Sequence, residues 1–246
     1  MTTPNPTPLV LVVQHEDDCP PALVGRWLAE DGVELDVRRP YAGEPLPADL
    51  ADHDGLLVLG GPMGAYDDAE HPWLGPTKGL LRAAVADDVP ALGICLGHQL
   101  LAAALDAPVI VNPAGRQQEL MRVGWTDDAH DDDLLGPIAA AGSPRCLQWN
   151  VDIVSALPDD AVLLARAATG EIQAARFAPR AWGIQGHPEV DSTVVGLWAA
   201  SDSLGNTRAA ALTEEVGAAA DELEEAWRPL ATSFACVLRA PVDTGA

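Results

Sequence analysis

Three short apolar runs limit what this chain can fold into: "LVLVV" at 9–13, "DGLLVLGG" at 54–61 and "VPALGIC" at 89–95. Each is continuously apolar over four or five residues, without a polar alternate face. Such runs read as strands buried on both sides, the situation of a parallel sheet covered by helices above and below. Helical signals fall between them. "PPALVGRWLAEDG", from Pro20, is closed by Gly32; Pro76 to Asp87 carries Leu80, Leu81, Ala84 and Val85 on one face; a further helix runs from His98 to Asp106. "ELDVRR" adds another strand. Strand alternating with helix at this spacing predicts a doubly wound, mainly parallel α/β sheet.

After residue 107 the segments shorten to "PVIV", "QELMRVGW", "RCLQW", "AVLLARA", "IQAARF" and "AWGIQ". These predict strands joined by turns, a small antiparallel extension before the chain returns to the main sheet. "AHDDDLLGPIAAAG" (129–142) reads as an acidic loop or short helix, and 206–240 as a long helical stretch interrupted at Pro229. Residues 1–8, rich in Pro and Thr, are expected to be disordered. The expected organisation is a 1–8 tail, one α/β domain over 9–205 and a C-terminal helical extension over 206–246, without internal repeats. A chain of 246 residues is long enough to bury a sizeable core.

Charge excludes some functions. Thirty-seven acids against 14 bases give a formal −23, and Lys78 is the only lysine. Such a surface repels a phosphate backbone and anionic lipid, so neither nucleic acid nor membrane is expected as a partner. No run approaches the ~18 apolar residues of a membrane span, and the opening "MTTPNPTPLVLVVQH" lacks the basic and apolar regions of a signal peptide. A cytoplasmic location is the expectation. Cys19, Cys95, Cys146 and Cys236 lie far apart, which predicts free thiols and no structural metal.

The candidate chemistry centres on Cys95 in "GICLGHQLLAAALDAPV". A sharp strand-to-helix turn would place it at the amino end of a helix, where a thiolate is favoured, and Gly93 and Gly97 allow the tight packing that such an elbow needs. Taken alone, Cys95 reads equally well as a small residue filling a buried corner. Among six histidines, His15, His53, His71 and His130 sit in acidic or turn-rich segments and read as surface or loop residues; His98 reads as packing, capping or functional. His187 differs, because it ends the apolar strand "AWGIQGHPEV", which would bring it out at an edge of the main sheet, and it precedes Glu189 by two. In an extended chain, positions i and i+2 share a face, so Glu189 can orient the imidazole as the third group of a nucleophile-base-orienter set. "LGGPMG" ends another buried strand, and its amides could serve an oxyanion or simply make a tight turn.

"GGPMGAYDDAEHPWL", "LGICLGHQLLA", "GW" at 124–125, "LPDDAVLLA" and "QGHPEV", in this order, resemble the class I, triad-type glutamine amidotransferase domain, in particular stand-alone proteins similar to the amidotransferase portion of GMP synthetase. The resemblance covers roughly residues 9–200. It implies a flavodoxin-like three-layer αβα fold and a Cys95-His187-Glu189 triad. It further implies an oxyanion hole from the amides of Gly61 and Leu96, and a glutamine pocket at Gln99, Trp149 and Asn150. Glutamine would yield glutamate and ammonia through a cysteinyl γ-glutamyl thioester, without cofactor or metal. The ammonia would pass to a separate synthetase, residues 206–246 being too short for one; the acidic face of "LTEEVGAAADELEEAW" is one candidate contact, unless it packs on its own domain. Two departures stand out. Asn150 replaces a usual histidine, and Gly186 stands where an aromatic usually precedes the histidine. A γ-glutamyl peptidase acting alone, or a catalytically silent regulatory subunit, are the alternatives.

Overall fold

Successive residues of the apolar strands point to opposite faces of one sheet, and each face has its own helices. In the computed structural model, which describes residues 7–201 and 206–241, the elements run β1 (Leu9–Val13), α1 (Ala22–Glu30), β2 (Glu34–Arg38), β3 (Gly55–Val58), α2 (Leu74–Ala86), β4 (Ala91–Ile94), α3 (Leu96–Ala104), β5 (Val109–Val111), β6 (Gln117–Arg122), α4 (Gly136–Ala141), β7 (Arg145–Asn150), β8 (Asp152–Val154), β9 (Val162–Arg166), β10 (Ile172–Ala178), β11 (Ala181–Ile184), α5 (Ser192–Ser201), α6 (Asn206–Ala218) and α7 (Ala220–Arg239). The main sheet has seven strands in the order β2-β1-β3-β4-β11-β10-β9. Pairing is parallel from β2 to β11 and antiparallel through β10 and β9. β5 with β8, and β6 with β7, form separate two-stranded ribbons.

Val10, Val12, Leu57, Leu92 and Ile94 pack against Trp27 and Leu28 of α1 and Trp227, Leu230 and Phe234 of α7 on one face. Leu11, Val13, Leu56, Val58 and Ala91 pack against α2 and α3 on the other. This is the three-layer αβα arrangement with an antiparallel edge. A third cluster joins Val194 and Trp198 of α5 to Leu212 and Val216 of α6 and to Leu147 of β7. No helix among the described residues is long and apolar enough to cross a membrane.

Some expectations do not hold. The C-terminal helical stretch is not interrupted at Pro229, which lies inside α7; the break falls at Ala219, between α6 and α7. Proline in a helix interior costs about 3 kcal/mol, whereas each fully buried large apolar side chain contributes about 1.5–3 kcal/mol. Trp227, Leu230 and Phe234, all at most 1% exposed, therefore outweigh it. Arg228 adds a two-pronged contact to Asp31, at 2.8 and 2.9 Å, just after α1. The apolar face of α7 thus packs on its own domain, whereas Glu214, Asp221, Glu224 and Glu225 of the acidic face stay exposed. The disorder expected for 1–8 falls mostly outside the described residues; Pro8 is described, and its carbonyl accepts from the Glu34 amide at 2.8 Å. His15 and His53 lie in loops, as one of the two expectations had it, but not at the surface: His15 is fully buried, and the His53 side chain is only 7% exposed and held 3.0 Å from Asp36.

Candidate active site

The ends of β3, β4 and β11 come together at one edge of the sheet, where ligands of open α/β folds bind. β4 ends at Ile94 and α3 starts at Leu96, leaving Cys95 alone in the turn with φ 52° and ψ −104°. An L-residue in this region is strained by about 1–3 kcal/mol, and the surroundings hold it there. The Cys95 amide donates to the Ile184 carbonyl at 2.8 Å. A Cβ on Gly93 would lie 2.4 Å from the Gly97 carbonyl carbon, and one on Gly97 would lie 2.0 Å from the Val58 carbonyl oxygen. Glycine at both positions is a packing requirement of the elbow. The sulfur sits at the start of α3, whose first-turn amides have no intrahelical acceptors and favour negative charge.

His187 follows β11, and its amide donates to the Leu147 carbonyl of β7 at 2.8 Å. Its Nδ1–H donates to Glu189 Oε1 at 2.8 Å, which leaves Nε2 for Cys95. Burial alone would lower the basicity of His187, but the Cys95 sulfur and the Glu189 carboxylate outweigh it and hold the imidazole above its ordinary value. Trp198 meets the ring edge-on with centroids 4.7 Å apart. Gly60 leaves room for the pair: a Cβ there would lie 3.0 Å from His187 Cε1 and 3.6 Å from Cys95 Cβ.

These groups open into a cleft of about 890 Å³ lined by Cys95, His187, Gly61, Gln99, Trp149 and Asn150. Glu189 and Leu96 stand behind it, at 3% and 1% exposure. All eight residues singled out from the sequence thus surround one place. Gly61 packs on Leu96, its Cβ position being 3.1 Å from Leu96 Cδ2. Gln99 Nε2 is already engaged, donating to the Asp152 carbonyl at 2.8 Å and to Gln185 Oε1 at 3.3 Å. Asn150 Nδ2 donates to Gln117 Oε1 and to the Asp152 carbonyl, both at 3.2 Å, while its buried Oδ1 has no protein partner. Glu16, Asp17, Asp18, Asp67 and Asp152 give the cleft an acidic wall; burial and Asp67 raise the Asp152 carboxyl above its usual range.

Gly186 has a physical explanation. A Cβ there would lie 2.6 Å from both Cys146 Sγ and Gln148 Nε2, so β7 occupies the space an aromatic would need. Gly186→Phe is expected to lower stability by about 1–3 kcal/mol through overpacking, read as a drop in Tm, with part of the loss recovered when Cys146→Ala is added. An unchanged Tm in the single variant would contradict this account.

The sequence reading missed several contributors. Gln185 donates from Nε2 to Cys95 Sγ at 3.7 Å; it sits two residues before His187, so the alternation that picked out Glu189 could have found it. Trp198 anchors the acidic wall by donating from Nε1 to the Asp18 carbonyl at 2.7 Å, and no local pattern marks it. His15 Nδ1 accepts from Trp73 Nε1 at 3.1 Å and lies beneath Gly61; burial, then His71, holds it neutral with a pKa lowered to about 3.

Fold and site together define an αβα protein that carries a cysteine on a strained strand-to-helix elbow with a histidine-carboxylate pair beside it. The chain belongs to the class I glutamine amidotransferase family, whose sequence description, Glutamine amidotransferase class-I, matches residues 22–203. It is 34% identical over 169 residues to a glutamine-hydrolysing GMP synthase subunit of Halobacterium salinarum, covering 68% of this chain and 80% of that one. It is 29% identical over 172 residues to gamma-glutamyl peptidase 5 of Arabidopsis thaliana, covering 68% and 66% respectively. A solved glutamine amidotransferase from Thermotoga maritima superposes with a TM-score of 0.83 at 25% identity, over 94% of this chain and 99% of that one.

Proposed function

We propose that this chain hydrolyses the side-chain amide of glutamine. The observation that carries the reading is the His187–Glu189 pair, joined at 2.8 Å and buried beside a cysteine held at φ 52°. Cys95 Sγ attacks the amide carbon, and the carbonyl oxygen, now negative, is received by the amides of Gly61 and Leu96. The tetrahedral adduct collapses as His187 gives its Nε2 proton to the departing ammonia, leaving a γ-glutamyl thioester. Water, losing a proton to His187, then releases glutamate and restores the thiolate. Glu189 keeps the imidazole in the required tautomer and supports its positive charge. Gln99, through its amide oxygen, and Trp149 and Asn150 hold the amino-acid end of the substrate.

The name of the Halobacterium relative, which makes it one part of a synthase, supports a separate synthetase as the receiver of ammonia. A second reading, a self-sufficient γ-glutamyl peptidase, is favoured by the size of the cleft: about 890 Å³ falls within the ~300–1,000 Å³ of pockets for drug-sized ligands and exceeds the needs of glutamine alone. Measuring ammonia, amine and glutamate release from a panel of γ-glutamyl compounds separates the two. Fast turnover of glutamine only on adding a synthetase supports the first. Fast turnover of a γ-glutamyl peptide by the lone chain replaces it with the second, and no turnover of any member leaves a silent regulatory subunit.

Asn150→His tests the pocket. It is expected to keep the rate on good substrates within about tenfold, roughly 1.4 kcal/mol, while changing the preference between glutamine and longer γ-glutamyl amides. Identical preference across the panel would make the substitution neutral.

A further inference from the structure

Two buried amides connect the wall of the cleft to the sulfur of Cys95. Parallel pairing aligns Ile94 of β4 with Ile184 of β11, so the residues that follow, Cys95 and Gln185, leave the sheet side by side. Gln185 is 1% exposed and Gln99 4%. Their amide orientations follow from their partners. The Asp152 carbonyl can only accept, so it fixes the nitrogen of Gln99 toward itself at 2.8 Å. The second hydrogen of that nitrogen goes to Gln185 Oε1 at 3.3 Å. With its oxygen thus engaged, Gln185 must turn its own nitrogen to Cys95 Sγ, 3.7 Å away.

We propose that Gln185 is a positioning residue for the nucleophile: its neutral N–H holds the Cys95 sulfur in place and stabilises its thiolate, under the control of a hydrogen-bond relay from Asp152 through Gln99. The proposal rests on the reading of Cys95 as nucleophile. A neutral donor suits this place, because the imidazole of His187 already supplies the compensating charge. The relay also ties the sulfur to the Asn150–Asp152 segment of the cleft wall, so a substrate that orders this wall also orders the nucleophile. A hydrogen bond to an ionised group is worth more than one to a neutral group, so the contact gains strength when the thiol loses its proton.

The test uses the full chain and iodoacetamide as a small neutral probe, with alkylation at each cysteine followed by mass spectrometry over time. Gln185→Met keeps side-chain bulk and removes the donor. Its backbone place is secured independently, since the residue's amide donates to the Gln173 carbonyl at 2.8 Å. Expected in Gln185→Met is a Cys95 alkylation rate lower by about tenfold, with the rates at Cys19, Cys146 and Cys236 unchanged. Gln185→Glu, which sets a carboxylate against the sulfur, should be slower still. For glutamine hydrolysis, kcat falls and KM stays within about twofold, since Gln185 lies behind the cleft surface. Gln99→Met, which strips the anchor from Gln185 Oε1, should fall between wild type and Gln185→Met, and it serves if the latter fails to fold. Wild-type alkylation profiles in the folded variants, with Cys95 still selectively labelled in the parent, would overturn the role of Gln185 and leave the nucleophile intact. A parent in which Cys95 reacts no faster than the exposed Cys236 would overturn both.

Discussion

Replacing Cys95 with alanine removes ammonia release from glutamine, with a loss on the order of 10³–10⁶-fold, while the melting behaviour stays near that of the parent. The two parts of this expectation have separate causes. The thioester needs the sulfur at the elbow; Cys19 also lines the cleft, but burial and Asp18 push its thiol up. Alanine carries the same Cβ as cysteine at φ 52°, so it adds no backbone strain to the elbow packed between Gly93 and Gly97. The sulfur faces the cleft, so its removal opens no sealed void and costs within about 1 kcal/mol. A glutamine-mimicking electrophile should label Cys95 far ahead of the other thiols. Burial pushes the Cys146 thiol well up, burial and Asp18 do the same to Cys19, and Cys236 is exposed on the far helix α7. Equal labelling of all four cysteines would remove Cys95 from the role given to it.

The parts of this site legible in the sequence are those set by short-range backbone rules. A glycine on either side of Cys95 announces a turn that no side chain could share, and the structure accounts for both glycines through the Val58 carbonyl and the Gly93–Gly97 contact. The two-residue spacing brings Glu189 to His187, although the chain there is not a regular strand: His187 makes a single bridge to Leu147 and Glu189 lies in the turn that follows. Continuous apolar runs give the sheet, since strands buried on both faces have no polar side to display. The illegible parts depend on long-range packing. His15 is flanked by acids yet buried, because Trp73, 58 residues away, closes over it. Asp132, in the acidic 129–142 segment, is buried as well; its carboxylate accepts from the Trp182 indole and from the amides of Leu134 and Leu135, and pairs with Arg176. Charge density along the chain gives no hint that one acid of the run turns inward. Pro229 misleads for a related reason: its local penalty is real, but the core contacts of α7 are larger.

The second large effect separates the two members of the buried pair. His187→Ala should cost ~10³–10⁶-fold in glutamine hydrolysis, because both the thiolate and the proton for the leaving ammonia depend on the imidazole. Glu189→Gln should cost less, on the order of 10²–10⁴-fold, because the imidazole remains and only its orientation and charge support are weakened. The pH profile distinguishes loss of support from general damage. The Cys95 sulfur and Glu189 outweigh burial and hold His187 above its ordinary value, so the working imidazolium persists into alkali and activity is lost as pH rises through that raised value. Removing the Glu189 charge lowers it, and the alkaline limb of kcat/KM in Glu189→Gln should move to lower pH. Stability follows the same sign. A group raised on folding contributes fully below its unfolded value, near ~6.5 for histidine, and loses that contribution as pH passes the folded one. Glu189→Gln should therefore reduce Tm more at mildly acidic pH than in alkali, where the parent has already lost the contribution. An alkaline limb that stays in place, together with a Tm loss independent of pH, would mean that Glu189 only fills space and that the charge on His187 is held by Cys95 alone.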